Sequence, residues 1–203
     1  MINANADAMG IIFPNNYDKF VPELVSERLM ASIPFASRYR MIDFLLSSMV
    51  GCGIDKIEVL VRENYHSLVD HLGGGREWDL SRKNGGLSIF PPFAQKSIGS
   101  MGGGRVEALA NILPVPKKQK EKYVIMADTN IAANFDFNAL IAQHVKTDAD
   151  ITFAYTKEEL PQELTGAKDA SKGLYYTLKL DGDKVEDIYI NKQEQGVQNF
   201  SMN

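Results

Sequence analysis

Apolar positions recur along this chain with two different spacings, and the succession of the two predicts its architecture. Short, densely apolar runs at Gly10-Ile11-Ile12-Phe13, Ile57 to Val61, Tyr123 to Met126 and Ile151 to Tyr155 read as strands of a buried sheet. Between them lie stretches whose apolar residues fall three and four apart. Met41 to Val50 carries Met41, Phe44, Leu45 and Met49 and runs into Gly51 and Gly53, so a buried crossover helix is expected there. Ser67 is placed to cap a short helix through Leu68 and Leu72. Asp136 is placed to cap another, with Phe137, Leu140, Ile141 and Val145 on one face. Strand, helix, strand in this order predicts βαβ units. The last quarter changes character: Leu174 to Leu180 and Val185 to Ile190 flank Asp181-Gly182-Asp183, a hairpin signal. Three segments rich in Gly, Pro and polar residues, Pro14 to Ser26, Gly73 to Gly86 and Pro91 to Gly104, separate these elements. In an open α/β sheet such loops gather outside the carboxyl ends of the strands, where ligands bind, and they form the candidate site.

Composition narrows the class of partner. With 203 residues and 44% hydrophobic content the chain suffices for one well-packed domain, placed at 10–203, after a polar, Ala/Asn-rich stretch at 1–9 that reads as a leader or loose terminus. Twenty-two Lys and Arg against 26 Asp and Glu, without a basic block, argue against a nucleic-acid partner. No apolar run approaches the ~20 residues that cross a bilayer and no signal-peptide pattern is present, so no membrane partner and a cytoplasmic location are expected. The single cysteine, Cys52, has no activating neighbour in sequence and reads as a buried small hydrophobe.

The stretch Pro34-Phe35-Ala36-Ser37-Arg38-Tyr39-Arg40-Met41-Ile42-Asp43-Phe44, followed by Gly53-Ile54, resembles the Pro-Phe-Gly-Gly-Lys-Tyr-Arg-Ile-Ile-Asp-Phe and Ser-Gly-Ile pattern of ADP-glucose pyrophosphorylases (glucose-1-phosphate adenylyltransferases). His66-Ser67-Leu68 with His71 is similar to that family's His-Ser-Leu segment. Gly75-Arg76-Glu77-Trp78-Asp79-Leu80 looks most like its non-catalytic-type companion subunit, GlgD. The resemblance implies an α/β, Rossmann-like nucleotidyltransferase domain with a mostly parallel mixed sheet flanked by helices. It also implies that this domain is incomplete at Phe200-Ser201-Met202-Asn203 and that the family's C-terminal left-handed β-helix lies outside this chain.

Transfer of a nucleotidyl group to a sugar phosphate needs backbone donors for the triphosphate, cationic charge near the leaving pyrophosphate and carboxylates for Mg²⁺. The family's Gly-rich loop falls on Phe13-Pro14-Asn15-Asn16-Tyr17-Asp18-Lys19, where Pro14 has no amide hydrogen and Asp18 brings negative charge. A Lys-Pro step of active members is replaced by Met30-Ala31. The resemblance assigns nucleotide contacts to Gly104, Glu107 and Asp128, with Asp128 also the Mg²⁺ ligand; a strand-end aspartate equally serves as a turn or cap residue. Gly173 and Ser201 match sugar-phosphate contacts, as Lys192 does with a register slip of one. Arg62 and Arg105 are either anion or effector contacts or plain surface arginines. His144 and Trp78 read as packing residues. The leading function is therefore a glycogen-pathway subunit, regulatory and weak or inactive alone. It would assemble into a hetero- or homo-oligomer with a catalytic ADP-glucose pyrophosphorylase subunit and bind ATP or ADP-glucose and glucose 1-phosphate. An active sugar-phosphate nucleotidyltransferase and a non-enzymatic sugar-phosphate or nucleotide sensor are the alternatives.

Overall fold

The computed structural model describes residues 7–13, 18, 21–61, 63–83, 85–90, 120–157, 175–190 and 199–201, the last three for backbone only. Its centre is a four-stranded sheet of β1 (Ala8–Phe13), β4 (Lys56–Leu60), β5 (Gly86–Phe90) and β6 (Tyr123–Asp128), ordered β5-β4-β1-β6 and parallel throughout. α2 (Met41–Gly51) joins β1 to its neighbour β4, completing the expected βαβ unit. The chain thus places β4 and β5 on one side of β1 and returns to set β6 on the other.

Both sheet faces are apolar, as parallel sheets require. Ile12, Ile57, Val59 and Ile125 point to one face and pack with Ile42, Leu46 and Met49 of α2 and with Phe137 and Ile141 of α4 (Phe137–Thr147). Gly10 lies on this face too, and a Cβ there would stand 2.7 Å from Met49 Sδ, so the end of the Met49 side chain fills the space that the glycine leaves. Met9, Ile11, Phe13 and Leu60 form the opposite cluster with Phe90. Glu58 shares that opposite face, cross-strand from Ile11, yet is only 2% exposed, and its Oε2 has no hydrogen-bond partner. Burial pushes its carboxyl above the usual carboxylate range, with Lys56 pulling it back and Glu121 adding to the rise.

The remaining strands are antiparallel. β7 (Tyr155–Lys157), β8 (Tyr176–Asp181), β9 (Lys184–Ile190) and β10 (Asn199–Ser201) make a second sheet ordered β7-β10-β8-β9. The β8–β9 hairpin turns at Gly182, φ 58°, as its sequence requires. A small hairpin of β2 (Pro34–Phe35) and β3 (Tyr39–Arg40) precedes α2, and the short helices α1 (Pro22–Val25) and α3 (His66–Leu72) complete the described elements, with 3₁₀ turns at Met30–Ser32 and Arg76–Trp78. Among the described residues, no helix is long and apolar enough to cross a membrane.

Several expectations move. The expected α/β fold with a mainly parallel sheet flanked by helices is present, and among the described residues its parallel and antiparallel strands lie in separate ladders. β1 starts at Ala8, because Ala8 and Met9 pair with Tyr123 and Val124 and are buried. The strand expected at Ile151 to Tyr155 begins only at Tyr155, where β10 supplies a ladder partner; Ile151 and Phe153 ahead of it are exposed. Ser67 does not cap α3: the N-cap is Tyr65, without a side-chain bond, and the Ser67 hydroxyl is committed elsewhere. Asp136 does cap α4, accepting from the amides of Asn138 and Ala139 at 3.0 and 3.1 Å, but Val145 faces outward.

Candidate functional site

Parallel strands bring all their carboxyl ends to one edge, and at this edge Phe13 ends β1 directly beside Asp128, which ends β6. Asp128 is 4% exposed and Thr129 after it is fully buried, so the carboxylate is held at the rim of the strand order's reversal, between strands laid down on opposite sides of β1. Among the described residues no group of three or more His, Cys, Asp or Glu is placed to hold a metal ion. Asp128 offers one carboxylate, which suits Mg²⁺ only when ligand phosphate oxygens complete the shell.

The 3₁₀ turn Met30–Ser32 lies at the junction of two hydrogen-bond systems. At its start, the Met30 amide donates to Asp18 Oδ1 at 3.0 Å, so the two replacements singled out in the sequence are bonded to each other. At its end, the Ser32 carbonyl accepts from Arg40 Nη1 at 3.4 Å. The same Arg40 nitrogen donates to the Ser67 carbonyl at 2.8 Å and to Ser67 Oγ at 2.6 Å, tying α3 to the turn. Asp43, one helical turn into α2, accepts from the Arg40 amide at 2.9 Å through Oδ2 and meets His71 Nε2 at 2.7 Å through Oδ1. Trp78 presents its ring edge-to-face to His71, centroids 5.9 Å apart, and packs on the core. The motifs that carry the resemblance therefore converge on one brace, built from Arg40, Asp43, Ser67, His71 and Trp78, which ties α2 and α3 to the Met30–Ser32 turn. The sequence showed these residues as motif members without their roles; the signal for Asp43 was its place three residues after Arg40, the N-cap.

His144 is likewise a packing residue: its Nδ1 lies 2.8 Å from Thr152 Oγ1 and its ring stands edge-on to Tyr123. Cys52 is buried. Of the other expected contacts, Gly104, Arg105, Glu107, Arg62, Gly173 and Lys192 lie outside the described residues. Ser201 is in β10, paired with Tyr155, and so belongs to the antiparallel sheet while Asp128 belongs to the parallel one.

A parallel α/β sheet with helices packed on it and an acidic strand end at the carboxyl edge defines a ligand-binding domain of the Rossmann-like class. The family model described as "Nucleotidyl transferase" matches residues 23–167, and the chain belongs to that family. Among curated proteins it is similar to the glycogen biosynthesis protein GlgD of Geobacillus stearothermophilus, 36% identical over 151 residues, 73% of this chain and 43% of that protein. GlgD of Bacillus subtilis (strain 168) is 33% identical with the same coverage. A glucose-1-phosphate adenylyltransferase of Thermomicrobium roseum is 35% identical over 133 residues, 64% of this chain and 31% of that protein. The chain thus spans less than half the length of the curated relatives it matches. The resemblance read from the motifs, to the ADP-glucose pyrophosphorylases and to GlgD, is borne out.

Proposed function

We propose that this chain is part of a glucose-1-phosphate adenylyltransferase-type subunit of glycogen biosynthesis, acting in the cytoplasm, that turns over weakly or not at all alone and works beside a catalytic subunit. The observation that carries the reading is the Asp18–Met30 contact. It sets a carboxylate at 3.0 Å from a backbone amide, in the segment that in active members handles the triphosphate. An amide engaged by an internal acid is withdrawn from a polyanion, and the acid's own charge repels one. Pyrophosphate release from ATP and glucose 1-phosphate, measured with the protein alone and then with a catalytic ADP-glucose pyrophosphorylase subunit, tests this. Little release alone and an altered rate or substrate dependence in the mixture is expected; robust release alone overturns it.

A second reading, an active nucleotidyltransferase, is favoured by the buried Asp128 at the strand end. In that reading Asp128 holds Mg²⁺ together with nucleotide phosphates, Gly104 and Glu107 meet the nucleotide, and Gly173, Lys192 and Ser201 meet the sugar phosphate. Arg62 and Arg105 then serve anionic groups nearby. Exchange of Asp128 for Asn abolishes turnover under this reading, and an unchanged rate rejects it.

A further inference from the structure

Lys56 and two acids stand together at the amino end of the parallel sheet, and their surroundings divide them. Lys56 opens β4, and its Nζ lies 3.0 Å from Oε2 of Glu121, in the segment that leads into β6. Because β1 runs between β4 and β6, this ion pair is a clasp across the start of β1. Its two side chains are only 16% and 19% exposed. Glu58 follows Lys56 by two residues and so shares its side of β4. Glu58 is 2% exposed, and its Oε2 has no hydrogen-bond partner.

The neighbours of Glu58 decide what can answer a charge there. On β1 it faces Ile11, flanked by Met9 and Phe13, and on β5 it faces Ser88. β6 brings Val124 and Met126 to this side and ends at Asp128 beside Phe13, toward the carboxyl end of the sheet. Lys122 is paired with Asp7, and Asp55, ahead of β4, with Arg82. Among the described residues, the charges that act on Glu58 are Lys56, which favours its ionised form, and Glu121, which opposes it. Burial raises the Glu58 carboxyl above the ordinary range in spite of Lys56. Burial also pushes Glu121 upward, but backbone hydrogen bonds and Lys56 outweigh it and hold that carboxyl low. The ammonium thus serves the outer acid, while a proton keeps the inner one neutral. An unpaired carboxylate at the Glu58 position is strongly disfavoured. Residues two apart on one strand are separated by about 7 Å, a span that the flexible lysine arm covers.

We propose that Glu58 is a proton-operated switch for this clasp: with its proton in place Lys56 holds Glu121, and when the proton leaves to solvent Lys56 turns inward to Glu58 and releases Glu121. Release parts the lead of β6 from β4. The amides of Lys122 and Tyr123, which donate to the Asp7 carbonyl at 2.7 and 2.9 Å, keep that lead on the chain entering β1. The switch is independent of whether the chain handles nucleotides.

A double-mutant cycle of Lys56→Met and Glu121→Gln, read by urea denaturation of the 203-residue chain between about pH 5.5 and 9, tests it. The expected coupling between the two sites is at least about threefold in the unfolding constant at the lower pH and approaches onefold at the higher. In the Glu58→Gln background, where position 58 cannot ionise, the coupling should keep its low-pH size throughout. Coupling that is absent at the lower pH overturns the proposal. So does coupling that persists at the higher pH with Glu58 present, or that fades equally in Glu58→Gln. Carboxyl carbon NMR shifts of the folded native chain and of Glu58→Gln need neither variant of the cycle. Glu121 should show a second titration step coincident with that of Glu58 and missing from Glu58→Gln; a Glu121 signal without that step also overturns the switch.

Discussion

The two ends of the Met30–Ser32 turn teach opposite lessons. At the Ser32 end, Arg40, Asp43, Ser67 and His71 match the resembled pattern residue for residue, and their contacts form a closed brace across α2, α3 and the turn. At the Met30 end the pattern is replaced, Met30-Ala31 standing for Lys-Pro and Asp18 for part of a Gly-rich loop, and yet the turn is bonded there too. The turn is thus hydrogen-bonded at both ends, while the resembled pattern is matched at only one. A local structure of this kind can be held by different side chains at its two ends, because fold and site chemistry need not rest on the same residues.

Breaking the brace is the strongest way to sharpen this contrast. Asp43→Ala leaves the Arg40 amide without its acceptor and His71 without its partner in a largely buried place, and is expected to cost about 3 kcal/mol in urea denaturation. A loss near zero would mean that the brace is ornamental.

Glu58 is a test within the sheet that carries both ends. Its carboxyl titrates above the ordinary 4.5 because of burial, so the folded chain retains a proton there that the unfolded chain releases. Stability contributed by this site is full below the unfolded-state value and is lost as pH rises through the higher folded-state value. Glu58→Gln should therefore stabilise the chain at mildly alkaline pH and change it little at pH near 4. Denaturation midpoints at the two pH values check it; a gain that does not change with pH speaks against it.

Ser37→Gly relieves a left-handed backbone at the hairpin and should stabilise by about 1 kcal/mol, readable as a raised melting temperature. The smallest effect belongs to the Met30 end: Asp18→Ala removes the acceptor of the Met30 amide at a half-buried site that water can reach, and should cost under about 1 kcal/mol. If Asp18→Ala costs as much as Asp43→Ala, the two ends are equivalent supports and the contrast collapses.

The parallel core was legible because its determinants are local: β-branched runs, Gly53 just past α2 and an aspartate ahead of α4 each act within a few residues. The strand at Ile151 was misplaced for the opposite reason. Alternating apolar residues permit a strand, but a ladder needs a partner at the right register, and β10 reaches only Tyr155–Lys157. Ser67 fits the same account. Its position before Leu68 suggested a cap, and only Arg40, distant by 27 residues, decides where the hydroxyl bonds. The place of Asp128 at a strand end was legible from the apolar run before it. Glu58 was not, because a single acid in a β-branched run gives no sign of which face it will occupy or what will cover it.

Gly10 carries its consequence into lineages and engineering. With Met49 Sδ standing 2.7 Å from where a Cβ would be, the two positions share one volume. Substitutions at either should be inherited together: an alanine at position 10 is tolerated with a shorter residue at 49, and a bulkier residue at 49 holds position 10 to glycine. A library that varies the two sites jointly should return such pairs and few of the single changes.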